Sequence, residues 1–534
     1  MRHLRLFLLL LPFTLFSFLL KAQKPDTIWT KSLGGSMNDC GGYDPGNKPK
    51  LAKNLEGELF IGGSTESSDG YFPVNKGSVD CFVIKLNSDG DTLWSKTFGG
   101  SSADYLTDII ALNNGGAIFC GYSFSIGSEL GVHHGLSDEE DGFITKIDSL
   151  GNIVWSKQYG GFNFNGMLYG NDLLHKIIDL GSGSFIALGQ TNSNNGDFIL
   201  DMTKFNCGWI LKIDSLGNIL KNGKFAHPDH NEWNANVIFD GALLTDNSSI
   251  ITHGETRYFG NAWKIWTIKI DTNCTVLWQN NYGCNSDNLY GAITAVANSN
   301  AVFTATVYDN SGDVNQQTNG FADIWVVKIN SGGTIINQKV IGGSGYELPS
   351  FITTDENENI FVGGMSNSHA FDPGIDSLGS DFFAIKFNSN LDTLWSFKVG
   401  GSQADYLSDI IPITGESVFF AVGKTDSQDG YIHGTYGLKD IWLSKIYQSY
   451  NNINELNNNE DLLIYPNPNR GNFIVEGCDV GSEIMVYNIL GETVYKSTVT
   501  ANQLEINLSY VSSGIYLVKA WSKTHSLLKK IVVN

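Results

Sequence analysis

Seven times along this chain a lysine follows an aromatic residue by three positions. The pairs are Phe82 and Lys85, Phe143 and Lys146, Trp209 and Lys212, Trp266 and Lys269, Trp325 and Lys328, Phe383 and Lys386, and Trp442 and Lys445. The spacing between lysines runs from 57 to 66 residues. A period of that length marks a supersecondary unit that cannot bury its own apolar faces and must stack on copies of itself. The fullest copies are DCFVIKLNSDGDTLWSKTFGGSSADY from Asp80 and DFFAIKFNSNLDTLWSFKVGGSQADY from Asp381. Charged residues make up 17% of the chain, aromatics 12%, and there are 60 glycines, a balance of short strands and tight turns rather than helices.

Each copy reads as four strands: the aromatic/Lys strand, an LWSK-type strand ending in Gly-Gly, a third like 105–112 and a fourth like 117–123. In the aromatic/Lys strand both alternating faces are apolar, as with Phe143 and Ile147 against Ile144, so it is covered on both sides. The copy from Asp440 lacks its LWSK strand, and DTIWTKSLGG at 26–35 supplies one. Joining the two ends removes an open sheet edge. The expectation is an all-β chain: a seven-bladed β-propeller over 24–447 closed by an N-terminal strand. The stretch from Asp80 through AIFCGYS, with IGGSTESSDGYFP at 61–73, resembles the propeller repeat called SBBP, with Tyr-Phe where that family has Phe. The resemblance implies the seven-bladed fold and is silent on activity.

The two ends read as addresses. Arg2 and Arg5 precede an apolar run from Leu6 to Leu20, predicting a signal peptide over 1–22 with cleavage after Ala22; a retained anchor is the alternative. No other stretch is long and apolar enough to span a membrane. After an Asn-rich linker at 448–461, short alternating strands over 462–534 predict a small Ig-like β-sandwich. Tyr465, Pro466, Asn467 and Pro468, the segment Val486–Gly491, Gly514 with Tyr516, and the terminal run from Lys530 resemble the type A C-terminal sorting domain of the type IX secretion (Por) system of Bacteroidetes. That resemblance implies passage through the periplasm and across the outer membrane to the cell surface or extracellular space. The implied partners are the secretion machinery and a sortase-like protease.

The net charge of -21 excludes binding to a nucleic-acid backbone. Long loops after the Gly-x-Ser/Thr strand of each copy, the one like 117–123, share a face with the Gly-Gly loops, and ligand binding is expected there. That face carries Asp69, Asp138, Glu139, Glu140, Asp141, Asp197, Asp309, Asp313, Asp426 and Asp429, oxygen ligands of the Ca²⁺ type, though none has EF-hand spacing. His133 and His134 beside Asp138, and His227 with His230, are metal-ligand types without an established spacing. The seven lysines are assigned a structural role, with Asp108 or Asp409 as example partners. Asp91-Thr92-Leu93, Asp148-Ser149-Leu150 and Asp214-Ser215-Leu216 resemble Bacteroidetes O-glycosylation acceptors and also suit turns. The seven cysteines show no CxxC pattern and are taken as incidental. No Gly-x-Ser-x-Gly or HExxH motif occurs. The favoured reading is a non-enzymatic surface propeller binding a glycan or protein. The alternative is a secreted polysaccharide- or protein-degrading enzyme.

Overall fold

The computed structural model describes residues 26–40, 48–135, 139–162, 170–198, 206–227, 235–257, 262–368, 380–429, 436–447, 463–477, 480–488, 493–501, 503–521 and 526–533. The predicted signal peptide and linker, together with Asp138, His230, Cys478 and Gly491, lie outside the described residues. Every regular element described is a β-strand. The chain divides into two units, Met1–Tyr450 and Asn451–Asn534.

The first unit contains seven four-stranded antiparallel sheets of propeller-blade type among the described residues. Sheet one is Lys50–Lys53, Leu59–Thr65, Asp80–Leu86 and Thr92–Phe98, hydrogen-bonded in chain order. Sheets two to six repeat this meander, their first strands beginning at Asp104, Asp172, Ala235, Asn288 and Glu347. Sheet seven takes three strands from the C-terminal side, Asp405–Pro412, Val418–Thr425 and Asp440–Tyr447, and its fourth from Asp26–Leu33. The borrowed strand adopts the register of the others. Trp29 lies opposite Lys445 just as Trp94 lies opposite Lys85 and Trp155 opposite Lys146.

The core sits between sheets. In the third strand of sheet one, Phe82 and Ile84 pack with Phe420, Val422 and Leu443 of sheet seven. The alternate residues Cys81 and Val83 pack with Phe119 and Phe143 of sheet two. The repeat aromatic always faces the preceding sheet: Phe143 faces sheet one, Trp209 sheet two, Trp266 sheet three, Trp325 sheet four, Phe383 sheet five and Trp442 sheet six. Period-two alternation therefore explains why this strand is apolar on both faces. Truncating one such ring to Ala costs about 3–5 kcal/mol.

The turn joining third and fourth strands is one device used six times. A leading Asn or Asp side chain accepts the amides two and four residues on, as Asp148 does from Leu150 and Asn152. Asn87, Asp214, Asp271, Asn330 and Asn388 do likewise. Its fourth position is left-handed and is glycine at Gly90, Gly151, Gly217 and Gly333, but Cys274 (φ 62°) and Leu391 (φ 64°) in two copies. Cys40, Cys81, Cys120, Cys274 and Cys284 are buried free thiols, and Cys207 is buried as well.

In the second unit, Leu463–Tyr465, Asn472–Glu476 and Gln503–Asn507 form one sheet. Glu483–Tyr487, Thr493–Thr498, Gly514–Trp521 and Ser526–Val533 form another. Phe473, Val475, Ile506, Val486, Val518 and Ile531 from the two sheets share one apolar core. Among the described residues no helix is long and apolar enough to cross a membrane.

Candidate functional site

The first strands of neighbouring sheets touch one another, so they line the middle of the first unit. At one equivalent position on these strands stand Lys50, Asp108, Lys176, Asp240 and Asp409; this row is not marked by any motif in the sequence. Lys176 Nζ lies 3.5 Å from both Asp108 and Asp240. Those two carboxylate oxygens are therefore at most 7 Å apart, bridged by one ammonium. Each aspartate also accepts a backbone amide of the next sheet: Asp108 from Ile177 (3.0 Å), Asp240 from Ile293 (2.9 Å) and Asp409 from Leu51 (3.2 Å). Burial opposes the charge on Lys176, but Asp108, Asp240 and Asp409 outweigh it and raise its pKa above the ordinary ammonium value. Burial raises Asp409, against the pull of Lys50 and Lys176. The row works as a belt of staples between sheets.

The seven periodic lysines point elsewhere. Lys85 pairs with Glu58 at 2.8 Å and Lys386 with Asp355 at 2.8 Å. Lys212, Lys269 and Lys328 donate to carbonyls of the following sheet's turn, at Thr272, Ser331 and Ser389. Lys445 lies 5.4 Å from the Phe420 ring, and Lys146 is half-buried opposite Trp155. Asp108 and Asp409 were the wrong example partners: the register places them with the central belt instead.

On the long-loop face, the Gly-Gly ends carry a second recurrent arrangement. At five junctions two acids flank the first glycine: Asp80 and Asp104 at Gly99, Asp141 and Asp172 at Gly160, Asp323 and Glu347 at Gly342, Asp381 and Asp405 at Gly400, and Asp440 and Asp39 at Gly34. A Cβ at any of these glycines would overlap the carboxylates. The second glycine's amide donates to the second acid, as Gly100 does to Asp104 and Gly35 to Asp39, both at 2.7 Å. Oδ1 of Asp80, Asp141, Asp323 and Asp440 is buried without a hydrogen-bond partner against the glycine Cα. Burial lifts Asp39 and Asp80 to about 6 and raises Asp104, Asp172, Asp323, Asp405 and Asp440 as well. The signal for this latch was present in the sequence as Gly-Gly followed by an acid four residues after the second glycine, in GGSSAD and GGSQAD.

The loop acids are likewise committed. Asp69 accepts the Ser36 amide, Asp197 that of Gly160, Asp313 that of Gly283 and Asp429 that of Ser402. Asp309 binds Ser286 and Ser311, which hold its pKa down to about 2, and Asp426 pairs with Lys439 at 3.6 Å. Glu139 takes the Gly170 amide, and Glu140 sits half-buried beside it. His133 and His134 converge on Asp141 at 3.2 and 3.4 Å, and His134 also approaches Asp197 at 3.9 Å. The bond to Asp141 is the main reason the His134 pKa is raised. His227 instead contacts Asn281. Among the described residues no group of three or more His, Cys, Asp or Glu is arranged to hold a metal ion.

In the second unit the two ends of the motif set meet. Asn467 donates to the Lys530 carbonyl (3.0 Å) and accepts the Val532 amide (2.8 Å). Tyr465-Pro466 and Asn467-Pro468 are both cis. Gly514 opens the strand opposite Val533, and the Tyr516 hydroxyl donates to Ser512.

Residues 463–534 match the family "Secretion system C-terminal sorting domain". This domain, of type IX secretion, marks the chain for export to the cell surface or extracellular space and for interaction with the secretion machinery. No curated protein sequence matches the chain. Solved structures give distant likenesses. Raptor of Chaetomium thermophilum aligns at 9% identity and TM-score 0.42, over 80% of this chain and 30% of that one. An alpha-L-arabinanase of Penicillium chrysogenum aligns at 9% and 0.38, over 80% and 99%. PorZ of Porphyromonas gingivalis, a surface component of the type IX secretion system, aligns at 11% and 0.20, over 91% and 81%. Likenesses this remote say nothing of activity.

Proposed function

We propose that residues 24–447 form a seven-bladed β-propeller of the SBBP kind that acts as a non-enzymatic binding or scaffold module outside a Bacteroidetes cell. A signal peptide over 1–22 takes the chain into the periplasm, and an Ig-like domain over 462–534, reached through a linker at 448–461, takes it across the outer membrane. A sortase-like protease then removes that domain. The ligand, a glycan or protein, docks on the long-loop face. The periodic lysines serve the ring, not the ligand.

The match at 463–534 carries the export part of this reading. For the absence of catalysis, the main support is the state of the central carboxylates. Asp108 and Asp240 are bridged by Lys176 and bonded to backbone amides of the next sheet, which supports a structural role for both. Deleting residues 462–534 is expected to hold the protein inside the envelope, read by protease accessibility on intact cells. Normal surface display of the truncated chain would sink the sorting assignment.

A further inference from the structure

One junction departs from the repeat in a way that packing does not require. Where sheets one and two meet, Ser78 and Ala103 stand beside the parallel bridge from Val79 to Ala103. Where sheets five and six meet, the equivalent bridge joins Ala322 to Tyr346, and Phe321 takes the place of Ser78. Phe321 is 66% exposed and Tyr346 43% exposed. Their rings stack with centroids 5.4 Å apart and planes within 11° of parallel. The backbone beneath is fixed: the Phe321 amide donates to Gly345, and the Tyr346 amide to Asn367 Oδ1 at 2.7 Å. Two large rings stacked on one another in water contribute nothing to a core.

Tyr308 lies near this pair, and its neighbours include Asp287, Tyr346 and Glu255. Glu255 is nearly buried, accepts the Tyr290 amide at 2.6 Å, and is lifted by burial to about 7, Asp287 adding to the rise. Arg257 packs on Trp263, whose amide donates to Asp287, and Lys264 donates to Cys284 O. The patch is thus a pair of offset-stacked rings with exposed π faces, close in sequence to the buried acids Asp323 and Glu347.

We propose that Phe321 and Tyr346 form a stacking platform for a pyranose ring of a neutral polysaccharide. The electropositive C–H face of a sugar suits the negative face of an aromatic ring. The acidic chain repels polyanions. The inference rests on the reading of the long-loop face as the binding face.

The test is affinity electrophoresis of the purified full chain in gels containing xylan, a soluble β-glucan or mannan, with polygalacturonate and polylysine as charged probes. At least one neutral polysaccharide is expected to retard the protein. The double variant F321A/Y346A should lose at least tenfold in affinity with an unchanged melting curve, and Phe321→Trp should retain binding. Retardation that survives F321A/Y346A within twofold would overturn the platform and leave the binding face standing. Capture by polylysine or a protein array, without any neutral polysaccharide, would overturn the sugar class alone. If nothing binds, both fall.

Discussion

Sheet two is built from one continuous stretch of chain, and sheet seven from strands some 400 residues apart in sequence, yet the two are interchangeable in detail. Lys146 faces Trp155 in the first and Lys445 faces Trp29 in the second. Gly160 sits between Asp141 and Asp172, and Gly34 between Asp440 and Asp39. Chain continuity therefore adds nothing to the geometry of a sheet. What specifies it is the pattern of apolar faces, the Gly-Gly end and the acids that close on it.

The comparison can be broken most forcefully by removing the borrowed strand. Deleting Asp26–Leu33 exposes the edge of Asp440–Tyr447 and strips Leu33 from the core shared by sheets seven and one. The first unit is expected to lose most of its stability and to regain it when a peptide covering 24–35 is added. A deletion variant that melts like the parent would end the argument. Lys176→Met leaves Asp108 and Asp240 facing each other in a confined space and should cost about 3 kcal/mol in denaturant unfolding. A loss under 1 kcal/mol would mean that the backbone amides alone hold the belt.

Acidity offers a gentler probe of the same equivalence. Asp39 at the split junction and Asp80 at a continuous one both have folded pKa values of about 6, above the unfolded value of 3.8. Their contribution is fully present below pH 3.8 and disappears as pH rises through 6, so each makes the fold more stable at pH 4.5 than at pH 7, by roughly 2 kcal/mol. Asp39→Asn and Asp80→Asn should each flatten that dependence by a similar amount in denaturant titrations. A flattening seen at only one junction would separate the split sheet from the others. Gly34→Ala and Gly99→Ala push a methyl into the paired acids and should each cost about 1–3 kcal/mol, equally at both sites. The smallest effect belongs to the turns: Gly151→Ala places a methyl on a left-handed backbone and should lower stability by about 1 kcal/mol.

Much of this was legible in the sequence because it is local and periodic. The aromatic three residues before each lysine announces a strand covered on both faces, and DTIWTKSLGG announces the strand missing at the other end. The export address was readable too, since YPNP and the terminal strand are short contiguous motifs, although only the fold brings Asn467 onto Lys530 and Val532. The partners of the periodic lysines were not readable. Asp108 and Asp409 look like candidates along the chain, yet they point to the middle of the ring, while Lys85 and Lys386 reach Glu58 and Asp355 in their own sheets. The pairing of Phe321 with Tyr346 was equally hidden, because the two residues belong to different sheets.

By itself, then, the sequence determined the strand repeat, its alternation and the destination of the chain, since each depends on residues within a few positions of one another. The tertiary structure alone decided which charges neutralise which and which aromatics remain in water. Those outcomes depend on residues far apart along the chain meeting in space, where distance and burial, not order along the chain, set the energy.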